Sequence, residues 1–276
     1  MIKILITGSS GYIGSHLLKK IKNRFLSEIH GLDKTPSTIP LEFYHHADIR
    51  YPKDLKNKPY FDCVIHLAAE MQVGESVKNP ILYYETNING TLNVLRNIRT
   101  KNFIFASTGA VEELSSPYGI SKKCCEEVVT QYCKAHNIDY TIFRFYNVIG
   151  GDGIAVKNHD GLFYNLLKSK DTGIFNIFGS DYDTPDGTCV RDYVHVYEIC
   201  EAIIKAIERP SLSIENLGHG RGCSVLEMAR KFITVNNLKI KIQFKDRRKG
   251  DIPYSVIDKP SEYIEKLFST EEILEL

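Results

Sequence analysis

The chain has 276 residues, enough for one large domain or two closely joined ones that bury most of their unfolded surface. Its 35 Lys and Arg against 34 Asp and Glu leave it almost neutral, so no global field argues for nucleic acid or a membrane surface as partner. Apolar runs such as Lys3 to Thr7 and Cys63 to Ala69 fall far short of the roughly 20 residues of a spanning helix, and Lys3 leads straight into a strand pattern where a signal peptide would place its apolar core. A cytoplasmic protein is expected.

From residue 2 to 149, short β-branched or aromatic runs alternate with amphipathic stretches, the rhythm of a parallel sheet with helices on both faces. Strands are predicted at 3–7, 28–33, 43–49, 63–69, 103–108 and 140–148. Between them Leu17, Leu18, Ile21 and Phe25 form one helical stripe and Ile120, Cys124, Val128 and Tyr132 another, both read as crossover helices. After Gly150 and Gly151 the order loosens, with short strands near 175–178, 190–196, 213–217 and 241–246. The predicted fold is α/β: a Rossmann-type doubly wound parallel sheet over 1–149, rejoined by part of 188–212, and a smaller mixed α/β substrate lobe over 150–276. Seven cysteines with no CxxC pair, and no histidine at metal-ligand spacing, predict reduced, mostly buried thiols and no metal.

The first strand runs into Gly8-Ser-Ser-Gly11-Tyr-Ile-Gly14 and then a helix predicted to begin near Ser15. The first glycines let the backbone turn sharply beside a pyrophosphate, and Gly14 lets the helix pack close to the strand with its amides facing the anion. A tight turn in any α/β domain can carry such glycines, but Asp33 closes the second strand about 20 residues on, where a carboxylate can accept both ribose hydroxyls. An acid there with no Arg immediately after it favours NAD over NADP.

Tyr118-Gly-Ile-Ser-Lys122 places a phenol and an ammonium on one helix face. A cation held there is expected to lower the phenol pKa, so that Tyr118 serves as a base near neutral pH. Tyr164 and Lys168 match the same pattern and are read as an ordinary surface helix. Tyr118 differs in following the helix-start pair Ser116-Pro117, ten residues after a strand that ends at Thr108, whose hydroxyl can hold a reacting oxygen.

The GxxGxxG spacing with Tyr118 and Lys122 resembles the extended short-chain dehydrogenases/reductases. Nearly the whole chain is similar to the UDP-galactose 4-epimerases, through Val73-Gly-Glu-Ser-Val77, Arg144-Phe-Tyr-Asn147, Ile177 to Tyr182, Asp186 to Val196, Asn216-Leu-Gly218 and Arg247 to Asp251. That resemblance implies an NAD-dependent epimerase of UDP-sugars acting as a homodimer through helices at about 80–99 and 118–135. It implies cofactor contacts from Gly8, Gly11, Tyr12, Ile13, Gly14, Asp33, Lys34, Asp48, Ile49, Leu67, Ala68, Ala69, Asn87, Tyr118, Lys122 and Tyr146. Arg191 and Arg248 would clamp the diphosphate, Phe178 and Val225 flank the uracil, and Asp251 accept from the uridine ribose, with Thr108, Asn147, Leu162, Tyr193 and Ser255 also against the substrate.

Gly109 and Ala110 stand where dehydratases of the superfamily carry an Asp-Glu pair, so elimination lacks its acid and base. Glu112 and Glu113 are read as solvated loop residues. The chain departs from the family at Met71, where a Lys is frequent, at Gly161, where an Asn is usual, and in a shortened 109–117 segment that is expected to open the rim of the site. At 255 a small residue leaves room for an N-acetyl group, which extends the expected substrates to UDP-N-acetylglucosamine and its galacto epimer. A reductase, decarboxylase or dehydratase on the same scaffold, and a non-catalytic NAD-binding regulator, are the alternatives.

Overall fold

The computed structural model describes residues 1–22, 24, 27–152, 159, 161–248, 250–265, 268, 269, 272 and 274. The first half runs β1 (Ile2–Thr7), α1 (Tyr12–Ile21), β2 (Ser27–Asp33), β3 (Phe43–His46), α2 (Pro52–Leu55), β4 (Phe61–His66), α3 (Val73–Lys78) and α4 (Pro80–Tyr83). A π-helical turn at Tyr84–Asn89 leads into α5 (Gly90–Asn97), then β5 (Thr100–Thr108), a 3₁₀ turn at Gly109–Val111, α6 (Pro117–Ala135) and β6 (Asp139–Phe145). The second half has β7 (Asn147–Ile149), α7 (Leu162–Thr172), β8 (Ile174–Phe178), β9 (Val190–His195), α8 (Val196–Glu208), β10 (Ile214–Leu217), β11 (Gly222–Ser224), α9 (Val225–Val235), β12 (Lys241–Lys245) and β13 (Tyr254–Ser255).

Seven strands form one parallel sheet in the order β3-β2-β1-β4-β5-β6-β10. The order reverses between β1 and β4, and in open α/β sheets ligands bind beyond the carboxyl ends at such a switch point. One face of the sheet packs Leu17, Leu18 and Ile21 of α1 with Ile199, Ile203 and Ile204 of α8. The other face packs Val94 and Leu95 of α5 with Cys125, Val129 and Cys133 of α6. A third core, around Ile149, Phe163, Phe175, Ile177 and Phe232, binds α7 and α9 to the smaller strands.

Several sequence expectations change in register. The strand expected at 213–217 in the second lobe is β10, the edge of the large sheet, paired with β6. The run 140–148 is two strands, because the chain leaves the large sheet at Tyr146 and β7 pairs with β9. Leu67 to Ala69 and Asp48-Ile49 lie just past their strands, in turns where a side chain can face a ligand. Phe25, placed in the first helical stripe, lies outside the described residues.

The second stripe is reversed. Ile120 is 43% exposed, Cys124 is also exposed, and Val128 and Tyr132 are half-buried, while the neighbouring face, with Lys122, Cys125, Glu126 and Val129, meets the sheet. A continuous apolar stripe marks what a helix covers, and here the covered face is partly polar because it carries chemistry. None of the seven cysteines is in a disulfide, and five are buried.

The helix α6 is fixed to β5 and β6 by a buried ion pair. Glu126, fully buried, accepts from Arg144 Nε and Nη2 at 2.8 Å each and from Ser107 Oγ at 2.7 Å. Burial alone would raise its carboxyl, but Arg144 and Ser107 hold it below the usual carboxylate range. We expect Glu126→Ala, which leaves Arg144 without its bidentate partner, to lower unfolding free energy by about 2–4 kcal/mol in urea titrations; a loss below about 0.5 kcal/mol would show the clamp to be dispensable.

Candidate active site

The glycine turn connects β1 to α1 at the switch point. Gly8 has φ +72°, and a Cβ there would lie 2.7 Å from Ala68 N; a Cβ on Gly14 would lie 2.3 Å from Gly8 O. Both glycines are therefore set by close backbone approach. The helix begins at Tyr12, three residues before the expected start, with Gly11 as an N-cap that makes no side-chain bond and no acid in the first turn. That end attracts an anion, since its amide groups and the helix dipole point the same way.

Asp33 accepts from Ser10 N at 3.0 Å and from Thr35 N and Oγ1 at 2.9 Å each. Its carboxylate thus sits at the end of β2 against the glycine turn, with acceptor capacity left for ribose hydroxyls. Lys34 pairs with Glu70, and Asp48 is gripped by Arg50 through Nε and Nη2. Burial opposes ionisation of Asp48, yet Arg50 holds its pKa below the ordinary value. Leu67 N donates to Thr7 O and Ala68 N to Thr7 Oγ1, which lays the 67–69 turn, with Ala69, alongside the glycines. Ile49, buried, packs against Gly90. The cradle, the helix end and the placed acid fit a dinucleotide.

Asn87 lies behind the turn that follows β4. It is buried, accepts from Glu70 N and donates to Glu70 O and to Ser121 Oγ at 2.9 Å. Its amide ties the turn after β4 to α6, so it acts on the site by holding two walls together.

A cavity of about 990 Å³ opens beside the glycine turn. Gly11, Tyr12 and Ile13 line one part of it; Thr108, Tyr118, Tyr146 and Asn147 line the middle. Leu162, Phe178, Arg191, Tyr193, Val225, Arg248, Asp251 and Ser255 complete it from the smaller lobe. Every residue expected to touch substrate therefore borders one space. Arg248 stacks its guanidinium 3.8 Å from the Phe178 ring, and Arg191 Nη1 donates to the carbonyls of Val190 and Ile252 at 2.9 Å. The buried Tyr193 hydroxyl has no hydrogen-bond partner among the described residues, which leaves a polar atom that a ligand can satisfy. Met71 and Gly161 also line the space, and among the described residues no cluster suited to a metal occurs.

Three rungs fasten α6 to the end of β5. The Tyr118 hydroxyl neighbours that of Thr108, Lys122 Nζ donates to Ala106 O at 2.8 Å, and Glu126 accepts from Ser107. Burial pushes the Tyr118 phenol up to about 12, opposed only by the Thr108 hydroxyl. The expected lowering by Lys122 does not occur, because the ammonium is directed at the Ala106 carbonyl and the face of Phe105. Burial in turn brings Lys122 down to about 8.

The cavity also has lining residues to which the sequence assigns no site role. Glu112, expected in a solvated loop, accepts from Tyr146 Oη at 3.0 Å and lies 3.5 Å from Arg144 Nη1. Glu113, Tyr164 and Cys189 also face the cavity. Tyr164 thus departs from the surface role expected of it, whereas Lys168 is exposed on the same helix. The short 109–117 segment folds as a 3₁₀ turn packed on α6, where a Cβ on Gly119 would lie 2.5 Å from Ala110 O.

Lys122 carries a linkage with a definite sign. Between about 8 and the free-lysine value near 10.4 the unfolded chain binds more protons than the folded one, so stability rises with pH through that window. Lys122→Met removes the effect. Denaturation at pH 7 and pH 10 should shift the difference between wild type and Lys122→Met toward wild type by about 1–3 kcal/mol; a pH-independent difference would mean the ammonium is not desolvated.

Comparison with known proteins agrees with this geometry. The model of the NAD dependent epimerase/dehydratase family matches residues 4–218. The UDP-glucose 4-epimerase of Haemophilus influenzae is 33% identical, covering 90% of this chain and 87% of its own length. That of Mycoplasma pneumoniae is 32% identical over 98% of this chain and 96% of its own. Among solved structures, the Thermus thermophilus UDP-glucose 4-epimerase complex with NAD has a TM-score of 0.86 at 25% identity, covering 99% of this chain and 97% of that one. The UDP-Glc/GlcNAc 4-epimerase of Campylobacter jejuni gives 0.80 at 27% identity, over 99% and 97%. With more than half its length inside the family match, the chain belongs to the NAD dependent epimerase/dehydratase family.

Proposed function

We propose that this protein is an NAD-dependent UDP-glucose 4-epimerase that interconverts UDP-glucose and UDP-galactose through a 4-keto sugar, and that it also takes the N-acetylhexosamine pair. The observation that carries the reading is the Thr108–Tyr118 hydroxyl pair in one cavity with the glycine turn and with Arg191 and Arg248. The names of the relatives support the same reaction.

The bound nicotinamide supplies a hydride acceptor that later returns the hydride. Tyr118 takes the proton from O4 as the C4–H bond breaks, and Thr108 holds that oxygen by its hydroxyl. Tyr118 then gives the proton back when the hydride re-adds on the other face, so the net redox change is zero. Arg191 and Arg248 grip the diphosphate while the keto sugar turns about it. Burial raises the proton affinity of Tyr118 and so strengthens it as the acceptor of the O4 proton, while Thr108 opposes that shift and favours the anionic form that the first step needs.

Breadth toward N-acetyl sugars is supported by strand register. Ser255 pairs with Arg191 and Tyr254 with Val190, and in-register residues of paired strands point to the same side. Arg191 lines the cavity and Val190 does not, which supports Ser255 as the inward residue of the pair; Tyr254, 51% exposed, and Val256 border the same space. Homodimerisation is supported by Ile81 on α4 and Ile120 on α6, 61% and 43% exposed on helices that pack against each other.

NMR of wild type with each UDP-sugar should show both hexose and N-acetylhexosamine pairs equilibrating without net NADH, while Tyr118→Phe turns over neither yet keeps its nucleotide. Activity of that variant near wild type would rule out the tyrosine, and silence toward the N-acetyl pair alone would rule out the role of Ser255. Sedimentation should give a dimer for wild type and a monomer for Ile81→Glu/Ile120→Glu; an unchanged dimer would place the interface elsewhere.

A further inference from the structure

Glu112 stands beside the reacting centre with a charge that the proposed chemistry does not use. It closes the 3₁₀ turn that follows Thr108, and both it and Tyr146 line the cavity. Tyr146 lies flat enough on Gly109 that a Cβ there would meet its ring at 2.9 Å, so the ring touches the residue next to Thr108. From that position the Tyr146 hydroxyl donates to Glu112 Oε2 at 3.0 Å, while Oε1 lies 3.5 Å from Arg144 Nη1. The bond sets the direction of a carboxylate that is 46% exposed to solvent.

The positive charge of Arg144 does not cancel it. Arg144 Nε and Nη2 are committed to the buried Glu126, which Lys123 Nζ also approaches to 3.3 Å, and only Nη1 of the guanidinium faces Glu112, at 3.5 Å. Glu113, next in the chain, also lines the cavity and adds to the same sign. Among the described residues, the cations bordering the space are Arg191 and Arg248, on the smaller lobe, and the exposed Lys78 at the end of α3.

We propose that the Glu112–Tyr146 pair is a charge filter in the sugar pocket: it accepts hydrogen bonds from neutral sugar hydroxyls and rejects nucleotide-linked hexuronates, whose C6 carboxylate would face a fixed anion. The inference rests on the reading of this cavity as a UDP-sugar site. Two unit charges about 6 Å apart in a site of effective dielectric near 20 repel strongly enough to cost roughly a hundredfold in affinity, and partial screening still leaves about tenfold. A sugar that turns over between two orientations cannot hold C6 away from a fixed charge in both, so the filter acts on turnover as well as on binding.

The test measures dissociation constants of UDP-glucose and UDP-glucuronate for wild type, Glu112→Gln and Tyr146→Phe, with interconversion of each sugar followed by NMR in parallel. Glu112→Gln keeps an acceptor for Tyr146 and removes the charge. We expect wild type to prefer UDP-glucose by at least about tenfold, Glu112→Gln to narrow that ratio about tenfold, and Tyr146→Phe, which frees the carboxylate to move, to narrow it less. An unchanged ratio, or an equal loss for both ligands, overturns the filter, because a merely structural role would weaken both alike. Turnover separates the two readings: a shifted binding ratio without epimerisation leaves the filter standing and sinks the reaction, whereas epimerisation with an unshifted ratio does the reverse.

Discussion

The buried Glu126 carboxylate, shared by Arg144 and Ser107, is the constraint on which the site depends. It fixes α6 at one distance and one rotation against the ends of β5 and β6. Tyr118, Lys122 and Glu126 are four residues apart on one helical face and meet the last three residues of β5, Lys122 and Glu126 by hydrogen bonds and Tyr118 beside Thr108. The helix therefore registers on the strand like a key with three teeth. Such an arrangement places a phenol more narrowly than packing alone, because a hydrogen bond fixes direction as well as distance.

A second constraint is the change of sheet at Tyr146. The strand that carries Arg144 into the clamp ends one residue before the chain crosses to β7 and the smaller lobe. Arg144, Tyr146 and Asn147 thus serve in succession the helix, the cavity wall and the link between lobes. The two sheets meet along the cavity, and ligand groups there face residues from both. Backbone carbonyls add to this seam: Arg191 holds the segment before β13 through Val190 and Ile252, and Ser255 is aligned by the same pairing.

Much of this is legible in the sequence where the cause is local. Gly8 and Gly14 announce themselves because a Cβ on either would strike backbone, at 2.7 and 2.3 Å, a steric fact of the turn itself. Asp33, Thr108 and Tyr118 follow from strand ends and helix starts, which are also local. What depends on tertiary partners is not legible. The stripe from Ile120 to Tyr132 is only half covered, with Ile120 and Cys124 outside and Val128 and Tyr132 at the edge of the core, because the face turned to the sheet carries Lys122 and Glu126. The direction of the Tyr118 shift escapes a sequence argument because spacing gives proximity to Lys122 but not where an ammonium aims. Glu112 escapes it too, since its placement needs Tyr146, 34 residues away.

The π-helical turn at Tyr84–Asn89 carries one residue more than an α-helix would in the same rise. That extra residue is what rotates Asn87 inward to bridge Glu70 and Ser121. Removing any single residue between α4 and α5 would let the helix relax to regular winding and swing position 87 by about 100° around the axis. Chain length at this point is therefore under as tight a restriction as residue identity, and descendants of this sequence have more freedom to exchange side chains there than to shorten it.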